Sequence, residues 1–319
     1  MRLELVSTLH DSEVLRGPHD IEVHNGLAYV AGKFGTFTVV DVRSPEHPFV
    51  VSALTEDMTE CETVLLHDGL CYVGTHRFSA VDCTDPHAPR VLASVTDPSI
   101  HAINGMAVWK DWVLAASKGG HVNVLDISDP AHPKLVGSVP TKERGEVLSP
   151  HDVAVAGDLV IVADQRGGSP HKVAIYRADA DTPPDHWELV SLVDGERLDG
   201  ANRLIVDFPR VFVACNKADT IAVLDISDSA EPEVLSVVET AGIGPDGIEL
   251  RGNVLFVGAQ DRVEALDVSD ARLPRWVSQE RYPRLFPAHG TGAHDLCSRG
   301  DLLYVTAQHE NGIGVFRIH

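Results

Sequence analysis

Residues 149–165 read SPHDVAVAGDLVIVADQ. Apolar and small or polar side chains alternate through HDVAV, a Gly-Asp pair interrupts the run, and LVIVA follows as a second apolar stretch. Alternation of period two, a tight polar turn and a β-branched run describe a β-hairpin, not an amphipathic helix. The hairpin has two echoes. GPHDIEVHNGLAYVAGK at 17–33 and GAHDLCSRGDLLYVTAQ at 292–308 keep the His-Asp pair, the turn and the second strand in the same register. Recurrence at such distances points to a repeat architecture, in which one supersecondary unit is used many times.

Four further hairpins share the pattern without His-Asp, their first strands reading ETVLL, NGMAV, NRLIV and DGIEL. After each hairpin comes a third strand, an Asp/Ser/Pro turn and a fourth strand, as in FTVVDVRSPEHPFVVSAL (37–54), FSAVDCTDPHAPRVLASV (78–95) and VEALDVSDARLPRWVSQE (263–280). Asp and Ser bond their own backbone and Pro presets φ, so these clusters are turns and each unit has four strands. Ten places before the middle of each second strand (Tyr29, Tyr72, Leu114, Ile161, Phe212, Phe256, Tyr304) stand His19, Glu62, Asn104, His151, Asn202, Asp246 and His294. These seven anchors are spaced by 42 to 51 residues, and the distance from His294 through the C-terminus and on from residue 1 to His19 is 44. The array therefore closes on itself. The last unit ends GIGVFRIH without a fourth strand, and the N-terminal LELVSTL resembles the missing element. The expected fold is all-β: a seven-bladed β-propeller with four-stranded blades, its N-terminal strand closing the last blade so that only short edges are exposed. It forms one domain over 1–319, with blades at about 15–57, 58–98, 99–146, 147–197, 198–241, 242–287, and 288–319 plus 1–14.

The runs FTVVDVRSP (37–45), VNVLDISDP (122–130) and IAVLDISDS (221–229) resemble the LVIVD repeat, a propeller-forming unit. The resemblance covers nearly the whole chain and is weakest at VAIYRADADTPPDHWELV (173–190), which carries an insertion. It implies the fold, and no catalytic residue is carried over with it.

With 26 Lys+Arg against 47 Asp+Glu the net charge is -21, spread along the chain, which argues against nucleic acid and anionic membrane as partners. The N-terminal MRLELVSTLHDSEVLR lacks a signal-peptide core, and no stretch approaches about 18 unbroken apolar residues, so a cytoplasmic location is expected. Five cysteines, odd in number and without C-x-x-C spacing, are expected to be buried thiols and not a disulfide or zinc framework.

In a propeller the first strand of each blade is innermost, which brings the anchors to one mouth of the central channel. A second ring, at the ends of the second strands, comprises Lys33, His76, Lys118, Gln165, Asn216, Gln260 and Gln308. His19, Glu62, His151 and His294 are thereby candidate ligands of a divalent transition metal such as Fe, Mn, Zn or Cu, with Asp20, Asp152 and Asp295 placed to accept the second ring N–H of each imidazole. His101 and His289, on loops of that face, are candidate general bases, and Lys33, His76, Lys118, Gln165, Gln260 and Gln308 candidate contacts for a small polar, carboxylated substrate. The chemistry would be lyase, isomerase or oxygen-activating. The competing readings are a metal-free polar pocket and a non-catalytic scaffold in which His-Asp satisfies buried backbone groups. Neither a phosphate-binding loop nor a G-x-S-x-G elbow is present.

Overall fold

The computed structural model describes residues 1–168, 172–240, 244–283, 285–286 and 292–319. Seven four-stranded antiparallel sheets account for the strands among them. Blade 1 runs Pro18–His24, Leu27–Gly32, Thr36–Asp41, Phe49–Leu54, each strand pairing with the next. Blades 2 to 6 repeat this order, beginning at Thr63, Ile103, Pro150, Ala201 and Ile248. Blade 7 has Ala293–Arg299, Leu302–Ala307 and Gly312–Ile318, and its fourth strand is Leu3–His10 from the other end of the chain. That strand pairs antiparallel with Gly312–Ile318 from Leu3↔Ile318 to His10↔Gly312, as the sequence predicts.

The Asp that ends the third strand sets the turn to the fourth. Asp41, Asp82, Asp126, Asp225 and Asp267 each accept the backbone N–H two residues on at 2.8–3.0 Å. A second Asp three places later (Asp85, Asp129, Asp228, Asp270) does the same. Paired Asx-turns are thus the physical content of the recurring D-x-S-D. Blade 4 departs from it: Arg177 ends the third strand, the turn moves to Asp179, and a 3-10 turn at Pro184–His186 fills the insertion.

Second and third strands are buried on both faces, as in Leu159–Asp164 and Thr36–Asp41, whereas fourth strands are half-exposed, as in Phe49–Leu54. The near-continuous apolar runs of the former follow from packing on both sides. The chain divides into two compact units. One comprises Met1–Thr75, Val81–Val91 and Asp246–His319, and its core joins blades 6 and 7 around Phe256 and Phe316, 7 and 1 around Ile21 and Tyr304, and 1 and 2 around Phe37 and Val73. The other comprises His76–Ala80 and Leu92–Pro245, with blade 3 packed on 4 and 4 on 5. All five cysteines are buried free thiols, as expected. No helix among the described residues is long and apolar enough to cross a membrane.

Candidate functional site at the blade anchors

Five of the seven first strands carry a bulge at the anchor, those of blades 1, 3, 4, 5 and 7. Register with the second strand slips between Pro18 and Asp20, Ile103 and Gly105, Pro150 and Asp152, Ala201 and Arg203, and Ala293 and Leu296. The extra residue is His19, Asn104, His151, Asn202 or, in blade 7, the His294-Asp295 pair; a bulge re-aims a side chain, which is how the anchors leave the alternation of the strand. The second ring is tied alongside. The backbone N–H of Lys33, Lys118, Gln165, Asn216 and Gln308 donates to the carbonyl two residues before the anchor of the same blade, at 2.8–3.3 Å.

The His-Asp pair joins one blade to the next. Nδ1 of His19 donates to the carbonyl oxygen of Glu62 at 2.6 Å, Nδ1 of His151 to that of Asn202 at 2.8 Å, and Nδ1 of His294 to that of His19 at 3.0 Å. In every case the acceptor is the anchor of the following blade. The aspartates then reach the backbone N–H two places beyond that anchor: Val64 donates to Asp20 at 3.0 Å, Leu204 to Asp152 at 2.8 Å, and Ile21 to Asp295 at 3.1 Å. Asp20 and Asp152 also accept the N–H of their own next residue. The expectation that these carboxylates hold the imidazole N–H is therefore corrected: backbone carbonyls hold it, and the carboxylates take backbone amides. Two of the blades without His-Asp have Gly in place of Asp, for a related reason. A Cβ on Gly105 would lie 2.1 Å from Asp152 Oδ1, and one on Gly247 2.6 Å from the His294 carbonyl oxygen. The incoming His-Asp of the next blade occupies that space.

In the first unit the anchors form a continuous polar cluster. Nε2 of His19 is 3.0 Å from Glu62 Oε2, and Lys33 Nζ is 3.3 Å from Oε1 of the same carboxylate. The rings of His19 and His294 lie 3.6 Å apart between centroids, tilted by 37°, and His294 Nε2 is 4.0 Å from Asp246 Oδ2. His19 and Glu62 are almost entirely buried. A carbonyl oxygen only accepts, so His19 Nδ1 carries a proton. Nε2 then faces a carboxylate, and the contact needs one proton shared between them, on the imidazole or on the carboxyl. The result is a buried imidazole–carboxylate pair that shares a proton, with the Lys33 ammonium beside the same carboxylate.

A model of the LVIVD repeat matches residues 17–55 and 105–141, the spans of the first blade and most of the third. The chain carries LVIVD repeats. No curated protein matches its sequence significantly. Among solved structures it is similar over 100% of its length to 97% of the WD40 β-propeller domain of Doa1, at 14% identity and a TM-score of 0.76. Virginiamycin B lyase from Staphylococcus aureus matches at 11% identity, 100% of both chains and a TM-score of 0.71. The computationally designed Ika8 protein matches at 14% identity, 99% of this chain and 100% of its own, with a TM-score of 0.67. The two matched LVIVD repeats are thus two blades of a seven-bladed β-propeller.

Of the four proposed metal ligands, the propeller blades bring His19, Glu62 and His294 together in the first unit, and His151 stands in the second unit against Asn202. Among the described residues no group of three or more His, Cys, Asp or Glu is arranged to hold a metal ion. His76 and His101 meet edge to face at 5.1 Å, both exposed. Lys118 and Gln165 are half-buried, Gln260 is exposed, and Gln308 is buried in a 3-10 turn. His289 lies outside the described residues. The pairing of Lys33 with Glu62 was not legible in the sequence, since both belong to rings whose members were equivalent by position alone.

Behind the anchors of the first unit lies a second acidic cluster. Burial pushes the Glu22 carboxyl up to about 7, with the Asp20 and Glu249 charges adding to the rise and Arg299, 3.3 Å away, opposing it. Burial also raises Glu249, against hydrogen bonds from Ser298. The folded protein binds the Glu22 proton more tightly than the unfolded chain does, so this contribution is full below about pH 4.5 and is lost as pH rises through about 7. Glu22→Gln should remove a decline on the order of 1–3 kcal/mol across that window. Denaturant melts of both proteins at about pH 5 and about pH 8 check it: equal slopes would refute it.

Proposed function

We propose that this propeller is an enzyme acting on a small polar, carboxylated metabolite, and that His19 and Glu62 move the proton. The reaction class is proton transfer at carbon or oxygen, as in a lyase or isomerase. The observation that carries the reading is the His19–Glu62 contact at 3.0 Å, with Nδ1 already committed to a carbonyl. A buried pair with one shared proton presents both a donor and an acceptor to a bound molecule. His294, its ring tilted against that of His19 and fixed by its own Nδ1 bond, supplies the second imidazole, and Lys33 supplies a cation for developing negative charge. The name of virginiamycin B lyase, a protein of similar fold, supports lyase chemistry on such a scaffold only by analogy.

A metal-dependent form of the same enzyme is the second reading. Its support is the tautomer: an imidazole whose Nδ1–H is held by a carbonyl presents Nε2 to a cation. His19, His294 and Glu62, all in the first unit, would bind the ion, and a metal there would act as a Lewis acid on a substrate oxygen. On His19 it would have to displace the proton shared with Glu62, so binding would release a proton.

One experiment separates these forms. Purified protein, with no His-rich tag, is incubated with a panel of hydroxylated and unsaturated carboxylates, and turnover is followed by NMR before and after chelation and after reconstitution with Fe(II), Mn(II), Zn(II) or Cu(II). His19→Gln and Glu62→Gln should each lower kcat by about 100-fold or more, the usual weight of general acid–base catalysis, and His47→Ala and His132→Ala should leave it unchanged. Turnover that survives chelation supports the acid–base form, and turnover that needs one metal supports the other. Turnover unaffected by His19→Gln and Glu62→Gln would overturn both.

A further inference from the structure

Next to Lys33 a cavity of about 480 Å³ opens on the first unit, lined by Arg16, Lys33, Phe34, Thr55, Thr59 and Glu60. We infer that it takes the carboxylate end and a planar apolar body of an aromatic or conjugated monocarboxylic acid. This rests on the acid–base reading only for the claim that the bound acid is a substrate. The binding itself stands on the cavity.

Two cations and one aromatic face converge here on a protein whose net charge is -21. Arg16 makes no ion pair among the described residues, and Lys33 Nζ is shared between the cavity and Glu62. Two adjacent cations, one of them a guanidinium, match a carboxylate through charge-assisted hydrogen bonds. Phe34 is 51% exposed, a large apolar surface left to water at the wall of a concave site. Phe34 stands in the turn between Leu27–Gly32 and Thr36–Asp41, with its ring against Gly17. Its edge lies where a side chain on Gly17 would sit, 2.6 Å from the Cβ position, and Gly17 has φ +62, so glycine serves both the turn and the ring.

The backbone beneath is a short locked ladder. Lys33 N donates to the Gly17 carbonyl at 2.8 Å, Phe34 N to that of Arg16 at 3.1 Å, and Gly17 N to Asn311 Oδ1 at 2.9 Å. A binding surface already fixed in place loses little freedom when a ligand arrives. Thr55 and Thr59 offer hydroxyls to polar substituents. Glu60 adds a negative charge at the wall, which disfavours a second carboxylate on the ligand. Lys33 then hands the site its direction: the carboxylate it holds is one side chain away from the His19–Glu62 pair.

Benzoate is the probe, with acetate, benzyl alcohol and phthalate as comparators, and binding is read by ligand-observed NMR titration. Benzoate should bind saturably, with a Kd of about 1 mM or below. Each comparator should bind at least tenfold more weakly, because it lacks the ring, lacks the charge or carries a second charge. Phe34→Ala and Arg16→Gln should each weaken benzoate about tenfold, roughly 1.4 kcal/mol, and His19→Gln should leave its affinity unchanged. Benzoate binding no tighter than acetate, or unchanged in Arg16→Gln, or not saturable at all, overturns the inference. In the wild type, saturable benzoate binding with no turnover of any carboxylate in the panel rejects the catalytic reading alone. Turnover without benzoate binding rejects the cavity alone.

Discussion

Asp152→Ala should lower stability by about 2–4 kcal/mol, although Asp152 is a surface-type residue on a short strand, because it leaves buried N–H groups without an acceptor. Asp152 accepts the N–H of Val153 at 2.9 Å and that of Leu204 in the next blade at 2.8 Å, and it is 8% exposed. Asp20→Ala should behave alike, through Ile21 and Val64. Asp126→Ala, which removes an exposed Asx-turn at the far end of a blade, is the matched control and should cost about 1 kcal/mol or less. Denaturant melts decide the matter. If Asp152→Ala is no worse than Asp126→Ala, the bonds between blades carry little of the fold's stability.

Deleting residues 1–10 should be the most damaging change, with a loss on the order of 5 kcal/mol or more, and aggregation on heating. The deletion removes the fourth strand of blade 7, uncovers the Gly312–Ile318 edge, and takes Leu3, 2% exposed, out of the cluster around Phe316 and Leu285. A synthetic peptide of residues 1–10 added in trans should restore part of the melting temperature, since the strand pairs only through its edge. A truncated protein that melts within about two degrees of the full chain would mean that this strand contributes nothing to the blade.

The seven blades could be read from residues that lie close together in the chain. Alternation in HDVAV, the Asp-to-backbone turns of D-x-S-D and the glycine turns between strands are local devices, and each acts within a few residues. Even the junction of the termini was legible, because the missing fourth strand and the N-terminal LELVSTL could be matched by pattern and spacing alone. The anchors, too, were found by counting. Their partners were not. His19 bonds to a residue 43 positions away and His294 to one 275 positions away, and in both cases the acceptor is a backbone carbonyl, which no side-chain pattern records. The same holds for the role of the aspartates, which sequence reasoning assigned to the imidazoles. A bulge turns His19 and His151 out of register, and a shift of one residue exchanges the groups that an Asp can reach. The signal that blades 3 and 6 make room for this contact was present as Asn104-Gly105 and Asp246-Gly247, and it means nothing until the next blade is in place. Composition and periodicity therefore determine how many blades there are and where each begins, because those depend on local backbone preference. Which imidazole meets which carboxylate, and that Arg16, Lys33 and Phe34 share one cavity, depends on packing between segments far apart in sequence, and only the tertiary structure decides it.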